Sequence, residues 1–237
     1  MTRFLLLAAL GLTLAACDTT DPVDPPDLSI QTAADIAADP ATRNPTTGQV
    51  MGTDQFTLFS LRTGEVVVNY DDTERADSAS TLWDIGFRGS DIILNGGTSG
   101  PGASVGLIAN VPFRDVQDAQ DPSFTYRRDG ESACPDIQTP FGPQAGELRA
   151  VCGGSGNGWY TYVPFPGGRG GYLVPTPGRT LVVRLADNSG FAKVNFQSYY
   201  RGAPEPSTIT DRSEARYYTF EYVVNNQGSS FAADSMM

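Results

Sequence analysis

From about Thr53 onward, apolar residues recur at every second position in short runs, and Gly, Pro, Asn and Asp divide the runs. No segment sustains a 3.6-residue apolar repeat. A period of two belongs to a strand, whose successive side chains point to opposite faces. The pattern therefore excludes helical architectures and predicts an all-β fold. Phe56-Thr57-Leu58-Phe59 and Glu65–Tyr70 flank Arg62-Thr63-Gly64 as a hairpin. In the next run Trp83, Ile85 and Phe87 alternate with Leu82, Asp84, Gly86 and Arg88, which places the three large apolar residues on one buried face. Ile92-Ile93-Leu94, Ser104–Ala109 and Trp159–Val163 are further strand candidates. Arg179–Ala186 and Phe191–Tyr200 flank Asp187-Asn188-Ser189-Gly190, a turn sequence at a hairpin tip. Tyr217–Val224 is the last long strand. Together these predict a single antiparallel β domain over residues 53–226, with long middle loops over Asn110–Pro177 and a frayed tail over 227–237. Long loops on a rigid scaffold are where binding residues concentrate.

The N-terminus has a different logic. In MTRFLLLAALGLTLAAC one basic residue, Arg3, precedes an uncharged run from Phe4 to Ala16. The run is shorter than the roughly 20 residues that span a bilayer. A basic start, an apolar stretch and small residues before a cysteine describe an export signal over 1–16. Leu14-Ala15-Ala16-Cys17 is similar to the bacterial lipobox, which implies lipidation of Cys17 and a mature chain that begins there. An ordinary signal cut near an incidental cysteine is the bland alternative. Two or more acyl chains hold a protein stably at a membrane. The expected location is the outer membrane or cell surface, with the lipid bilayer as the first partner. Removing Arg3 leaves 15 basic against 27 acidic side chains, a net charge of −12. That balance argues against nucleic acid, whose phosphates need basic partners.

Residues 18–45 hold six Asp, five Pro, one Arg and no aromatic residue. Such a segment buries too little apolar surface to offset its ordering entropy. The reading is a flexible acidic, Pro-rich linker over 17–52, with at most one helical turn near Thr32–Ala38. With Cys17 assigned to lipid, Cys134 and Cys152 remain. In an oxidising compartment such a pair forms a disulfide, two free thiols being the alternative.

Several segments together resemble one family. Leu58–Val67 looks like its opening hairpin. Trp83-Asp84-Ile85-Gly86-Phe87-Arg88 and Asn95-Gly96-Gly97-Thr98-Ser99-Gly100 look like its most recognisable stretch. Ala192–Tyr200 and Tyr218-Thr219-Phe220-Glu221-Tyr222 look like its closing strands. The chain resembles the HmuY-like haem-binding lipoproteins over about Phe56–Val224, with the middle loops matching poorly. The resemblance implies an all-β surface or outer-membrane lipoprotein that captures haem and passes it to an outer-membrane receptor. The best-known members hold haem iron with two histidines, and some relatives use methionine. This chain has no histidine, and its methionines are Met1, Met51, Met236 and Met237, none of them in the middle loops. Bis-histidine ligation is therefore excluded.

A tyrosine phenolate also ligates haem iron. Trp159, Tyr160, Tyr162 and Tyr172 lie in or near the middle loops and are the candidate ligand-binding residues. The alternative is that they are ordinary strand aromatics. Haem or another tetrapyrrole is the one cofactor the resemblance brings, and no metal-ligand spacing stands out. Two other motifs read as structure. Asn95–Gly102 lacks the lysine and following helix of a phosphate loop. Asp187–Gly190 lacks the later acidic ligand of a calcium loop. Without histidine there is no Ser–His–Asp or Cys–His pair. No carboxylate pair is singled out for glycoside hydrolysis, so a non-enzymatic protein is expected. Two functions follow: a lipid-anchored binder of haem or a related tetrapyrrole without histidine ligands, or the same fold with iron ligation lost, binding a protein partner, a glycan or another apolar ligand.

Overall fold

The computed structural model describes residues 28–43, 46, 50–139, 142–167 and 170–232. Cys17 and the signal segment lie outside the described residues. The strands are β1 (Gln31–Ala37), β2 (Thr42–Arg43), β3 (Val50–Met51), β4 (Thr57–Ser60), β5 (Glu65–Val68), β6 (Ile85–Arg88), β7 (Asp91–Leu94) and β8 (Gly106–Ala109). They continue with β9 (Ile137–Thr139), β10 (Gly142–Gln144), β11 (Tyr160–Pro164), β12 (Gly171–Pro175), β13 (Thr180–Arg184), β14 (Phe191–Tyr200) and β15 (Ala215–Asn225). Only short 3-10 turns supplement them among the described residues, so the all-β, antiparallel expectation holds.

A five-stranded sheet in the order β1-β15-β14-β13-β8 faces a four-stranded sheet in the order β5-β4-β6-β7. Phe59, Ile85, Phe87, Ile92 and Leu94 from the smaller sheet meet Leu181, Val183, Val194, Phe196, Tyr218 and Phe220 from the larger. The aromatic members touch edge-on or tilted, with Phe59 and Phe220 ring centroids 5.5 Å apart and Phe87 and Tyr218 4.6 Å apart. This face-to-face core is the main apolar burial of the fold. The outer face of the larger sheet is covered by residues 111–126. There Leu107, Val182, Phe191 and Val223 pack against Phe113, Val116 and Ala119. Lys193 stands in that layer, buried, and donates to the Phe113 and Val116 carbonyls at 3.0 and 2.8 Å.

Four expectations need correction. The linker does not run to residue 52, because Gln31–Ala37 pairs antiparallel with β15. The helical turn expected near Thr32–Ala38 is this strand. Asp35 takes a left-handed φ of 55°, and the register shifts between Ala33 and Ile36. A bulge of this kind breaks the two-residue alternation by which a strand is recognised in sequence. Burial of Ala33 and Ala38 against the aromatic strand β15 then holds the segment. The domain therefore begins before Thr53.

The second correction concerns Trp83. Ile85 and Phe87 enter the main core, whereas Trp83 packs in a separate cluster with Leu58, Val68 and Ile93. Residues 83 and 84 precede the start of β6, and the inward position is taken by Asp84. The third concerns the tail, which is not frayed as far as Ala232. Phe231 is buried in the outer cluster, its amide donates to the Gln117 carbonyl at 2.7 Å, and Asn225 donates to the Ser230 carbonyl. The last is that the middle region, although loop-rich, carries two short hairpins, β9–β10 and β11–β12, the second built on the strand expected at Trp159–Val163.

Candidate functional site

The middle region is organised by a disulfide and a few buried polar groups. Cys134 and Cys152 are joined, with their Cα atoms 5.4 Å apart. Asp129 is buried, and its carboxylate accepts from the Leu94 amide at 3.0 Å and the Ala150 amide at 2.7 Å. It thereby ties the end of β7 to the disulfide loop. Arg127 reaches into the same loop and donates to the carbonyls of Ser132, Ala133 and Arg149. Reducing the disulfide opens a loop whose ends are 18 residues apart. The expected loss is about 3 kcal/mol, read as a lower urea midpoint in reductant than in buffer, and absent from Cys134→Ser.

The hairpin β11–β12 carries the aromatic candidates, and the structure divides them. Trp159 is buried and sits 5.0–5.7 Å, ring to ring, from Tyr160, Phe196, Tyr199 and Tyr218. Its indole N–H donates to the Ser90 carbonyl at 3.0 Å. It is a core residue that closes one end of the sandwich. Tyr160 is half-buried against the core, and its hydroxyl accepts from the Gly154 amide at 3.1 Å. Tyr162 is 44% exposed. Its ring lies over Gly171, where an added Cβ would come 2.5 Å from the phenol oxygen. Tyr172 pairs with Val163, so it projects from the opposite face of the hairpin to Tyr162. The Tyr172 ring lies 5.4 Å from that of Phe165. The hairpin is pinned to the larger sheet by Tyr200, whose hydroxyl accepts from the Leu173 amide at 3.1 Å. The four candidates thus share a hairpin but do not converge on one gap.

The deeper phenols are unsuited to ionisation. Burial pushes the Tyr199 and Tyr218 hydroxyls well above the ordinary tyrosine value. Among the described residues no group of three or more Cys, Asp and Glu gathers as a metal site. The glycine loop is structural, as its sequence suggests. Asn95, fully buried, donates to the Ser80 and Trp83 carbonyls at 2.8 Å and accepts from the Gly102 amide. At Gly96 a Cβ would sit 2.2 Å from the Ser104 carbonyl oxygen, so close backbone approach fixes the residue type there. The Asp187 turn is a hairpin tip, its carboxylate taken by Ser189 and Arg62.

The structure also displays a feature the sequence did not single out. A cleft of about 440 Å³ lies between β8, residues 123–127 and the disulfide loop. Phe124, Pro135, Cys152 and Asn157 are among its walls, and among the described residues Arg127 is the single charged one that lines it. None of the four aromatic candidates lines it.

The family model described as "HmuY protein" matches residues 52–222. No curated protein matches the chain. Among solved structures, the chain is similar to an apo HmuY analog of Tannerella forsythia, at 16% identity and a TM-score of 0.38, over 82% of this chain and 94% of that one. With most of the β domain matched by that family model, the chain belongs to the HmuY family.

Proposed function

We propose that this protein is a lipid-anchored, non-enzymatic binding protein of the cell surface or outer membrane that works without ligating haem iron. Three things support the reading. Family membership brings the expectation of haem-type binding and hand-over to an outer-membrane receptor. The lipobox-like Leu14–Cys17 supports an anchor at Cys17. The chain also holds no histidine. The observation that carries the loss of ligation is the division of the aromatic candidates. Trp159 is spent on the core, Tyr160 is bonded to Gly154, and Tyr162 and Tyr172 face away from each other.

A flat macrocycle gripped at its iron needs a free phenol beside an open stacking wall, and the ring that shares a face with Tyr172, Phe165, is packed against it at 5.4 Å. The domain is then free to bind a protein partner, a glycan or an apolar ligand that includes a tetrapyrrole held by contact alone. A second reading, haem held by a single phenolate, is favoured only by the exposure of Tyr162. Absorbance titration with haemin separates them. The expected result is no saturable Soret shift of the kind produced by axial ligation. A saturable shift that disappears in Tyr162→Phe or Tyr172→Phe would overturn the proposal.

A further inference from the structure

We propose that the cleft beside β8 takes an extended peptide segment of a partner protein, added to the sheet as a strand and carrying a carboxylate toward Arg127. The inference rests on reading the chain as a binding protein, and it names the chemistry of the partner.

The hydrogen-bond register supplies the first argument. β8 is an edge strand, paired on one side with β13. The Arg184 amide donates to the Val105 carbonyl, so along β8 the residues facing β13 and the residues facing outward alternate from that pair. Gly106 faces outward and exchanges both backbone bonds with Arg127 at 2.9 Å. Ile108, two residues on, faces outward as well. In the same register its partner would be Thr125, but the chain diverges there, and Thr125 lines the far wall of the cleft. Among the described residues nothing accepts from the Ile108 amide or donates to its carbonyl. The cleft floor therefore offers an unfilled donor and acceptor in line with an existing bridge, the geometry an added strand uses.

Charge supplies the second argument and commits the occupant. In a chain of net charge −11, no carboxylate among the described residues lines this cleft, and Arg127 is the one charged residue they place there. That guanidinium is not neutralised by an ion pair among the described residues. Its Nε and Nη2 donate to carbonyls, which leaves Nη1 for an incoming acceptor. The walls combine apolar groups such as Phe124 with small polar ones such as Thr125 and Asn157, both of which the side chains of an extended segment can meet.

The probe is an N-acetylated, fluorescein-labelled peptide, Thr-Val-Glu-Val-Thr, titrated by anisotropy against the full mature chain. Binding is expected to fall about tenfold when the peptide backbone is N-methylated on the sheet-facing edge, the effect of losing a ladder bond. Replacing its Glu with Gln should weaken binding about fivefold and flatten the salt dependence. Ile108→Pro removes an amide that the larger sheet does not use, an edge position where proline is tolerated, and should abolish binding. The methylated peptide keeps the test independent of whether that variant folds. No saturable binding of the parent peptide, or binding indifferent to N-methylation, overturns the proposal. Dimerisation of the chain that Ile108→Pro abolishes would also overturn it, by making a second copy the occupant. Haemin titration does not depend on this edge, so failure here leaves the proposed function to its own test.

Discussion

Replacing Asp84 with alanine is expected to destabilise the fold by about 3–5 kcal/mol, as for a buried charged group that leaves its partners unpaired. For a domain of this size that lowers Tm by roughly 10 °C. Asp84 is fully buried between the two sheets. One carboxylate oxygen accepts from the Leu61 amide at 2.9 Å and from Arg62 at 3.3 Å, and the other accepts from the Ala186 amide at 2.8 Å. A single side chain thus joins the β4–β5 turn to the β13–β14 turn. Alanine would strand two buried amides and a guanidinium. Burial pushes the Asp84 carboxyl above its ordinary value, with the Ala186 amide, Arg62 and the Leu61 amide pulling the other way. The folded state therefore holds this proton more tightly than the unfolded chain does. Its contribution is fully present below the ordinary carboxylate range and is lost as pH rises through the raised value. Asp84→Asn removes that titration, so the stability gap between wild type and this variant should widen on acidification. Urea unfolding at several pH values reads both effects. A gap that narrows toward acid would contradict the assignment.

Trp159→Ala is expected to cost about 3–5 kcal/mol, the range for deleting a buried large aromatic. The indole contacts four rings and bonds to Ser90, so its loss opens a cavity at one end of the sandwich. Tyr162→Ala, at an exposed site, should change stability by less than about 0.5 kcal/mol. The pair distinguishes a core residue from a ligand platform. Near-equal, small effects of the two substitutions would show that Trp159 is not enclosed as described.

The outline of the fold was legible because it rests on period-two patterning. Hairpins at Arg62–Gly64 and Asp187–Gly190 join the strands expected of them. The remaining β1 escaped because Asp35 interrupts the alternation with a left-handed residue. Trp83 leaves the face of Ile85 and Phe87 because β6 begins only at Ile85, so strand alternation does not govern residues 83 and 84. Phe231 was lost in a tail of small polar residues, although one aromatic side chain is enough to dock it. The disulfide pair was readable by elimination once Cys17 was assigned to lipid, and the two cysteines are joined. The buried carboxylates were not readable. Asp129 stands in Arg127-Arg128-Asp129-Gly130, which has the composition of any exposed turn, and only the fold brings the Leu94 and Ala150 amides to it. The aromatic candidates were half legible: Trp159–Val163 announces a strand, but which of its rings the core claims depends on Phe196, Tyr199 and Tyr218, far along the chain. The β8 cleft needs both the sheet order and the path of residues 123–127, and neither is local in sequence.

In the proposed function a haem-type family fold works without gripping iron. The most direct measurement compares the affinity of the purified protein for ferric haemin with its affinity for metal-free protoporphyrin. Iron is the only difference that a protein ligand would sense. Equal affinities within about threefold are expected, whether both are weak or both are tight, since that corresponds to less than about 0.7 kcal/mol. Haemin bound a hundredfold more tightly than protoporphyrin would mean that a side chain of this histidine-free chain coordinates the metal, and would contradict the claim.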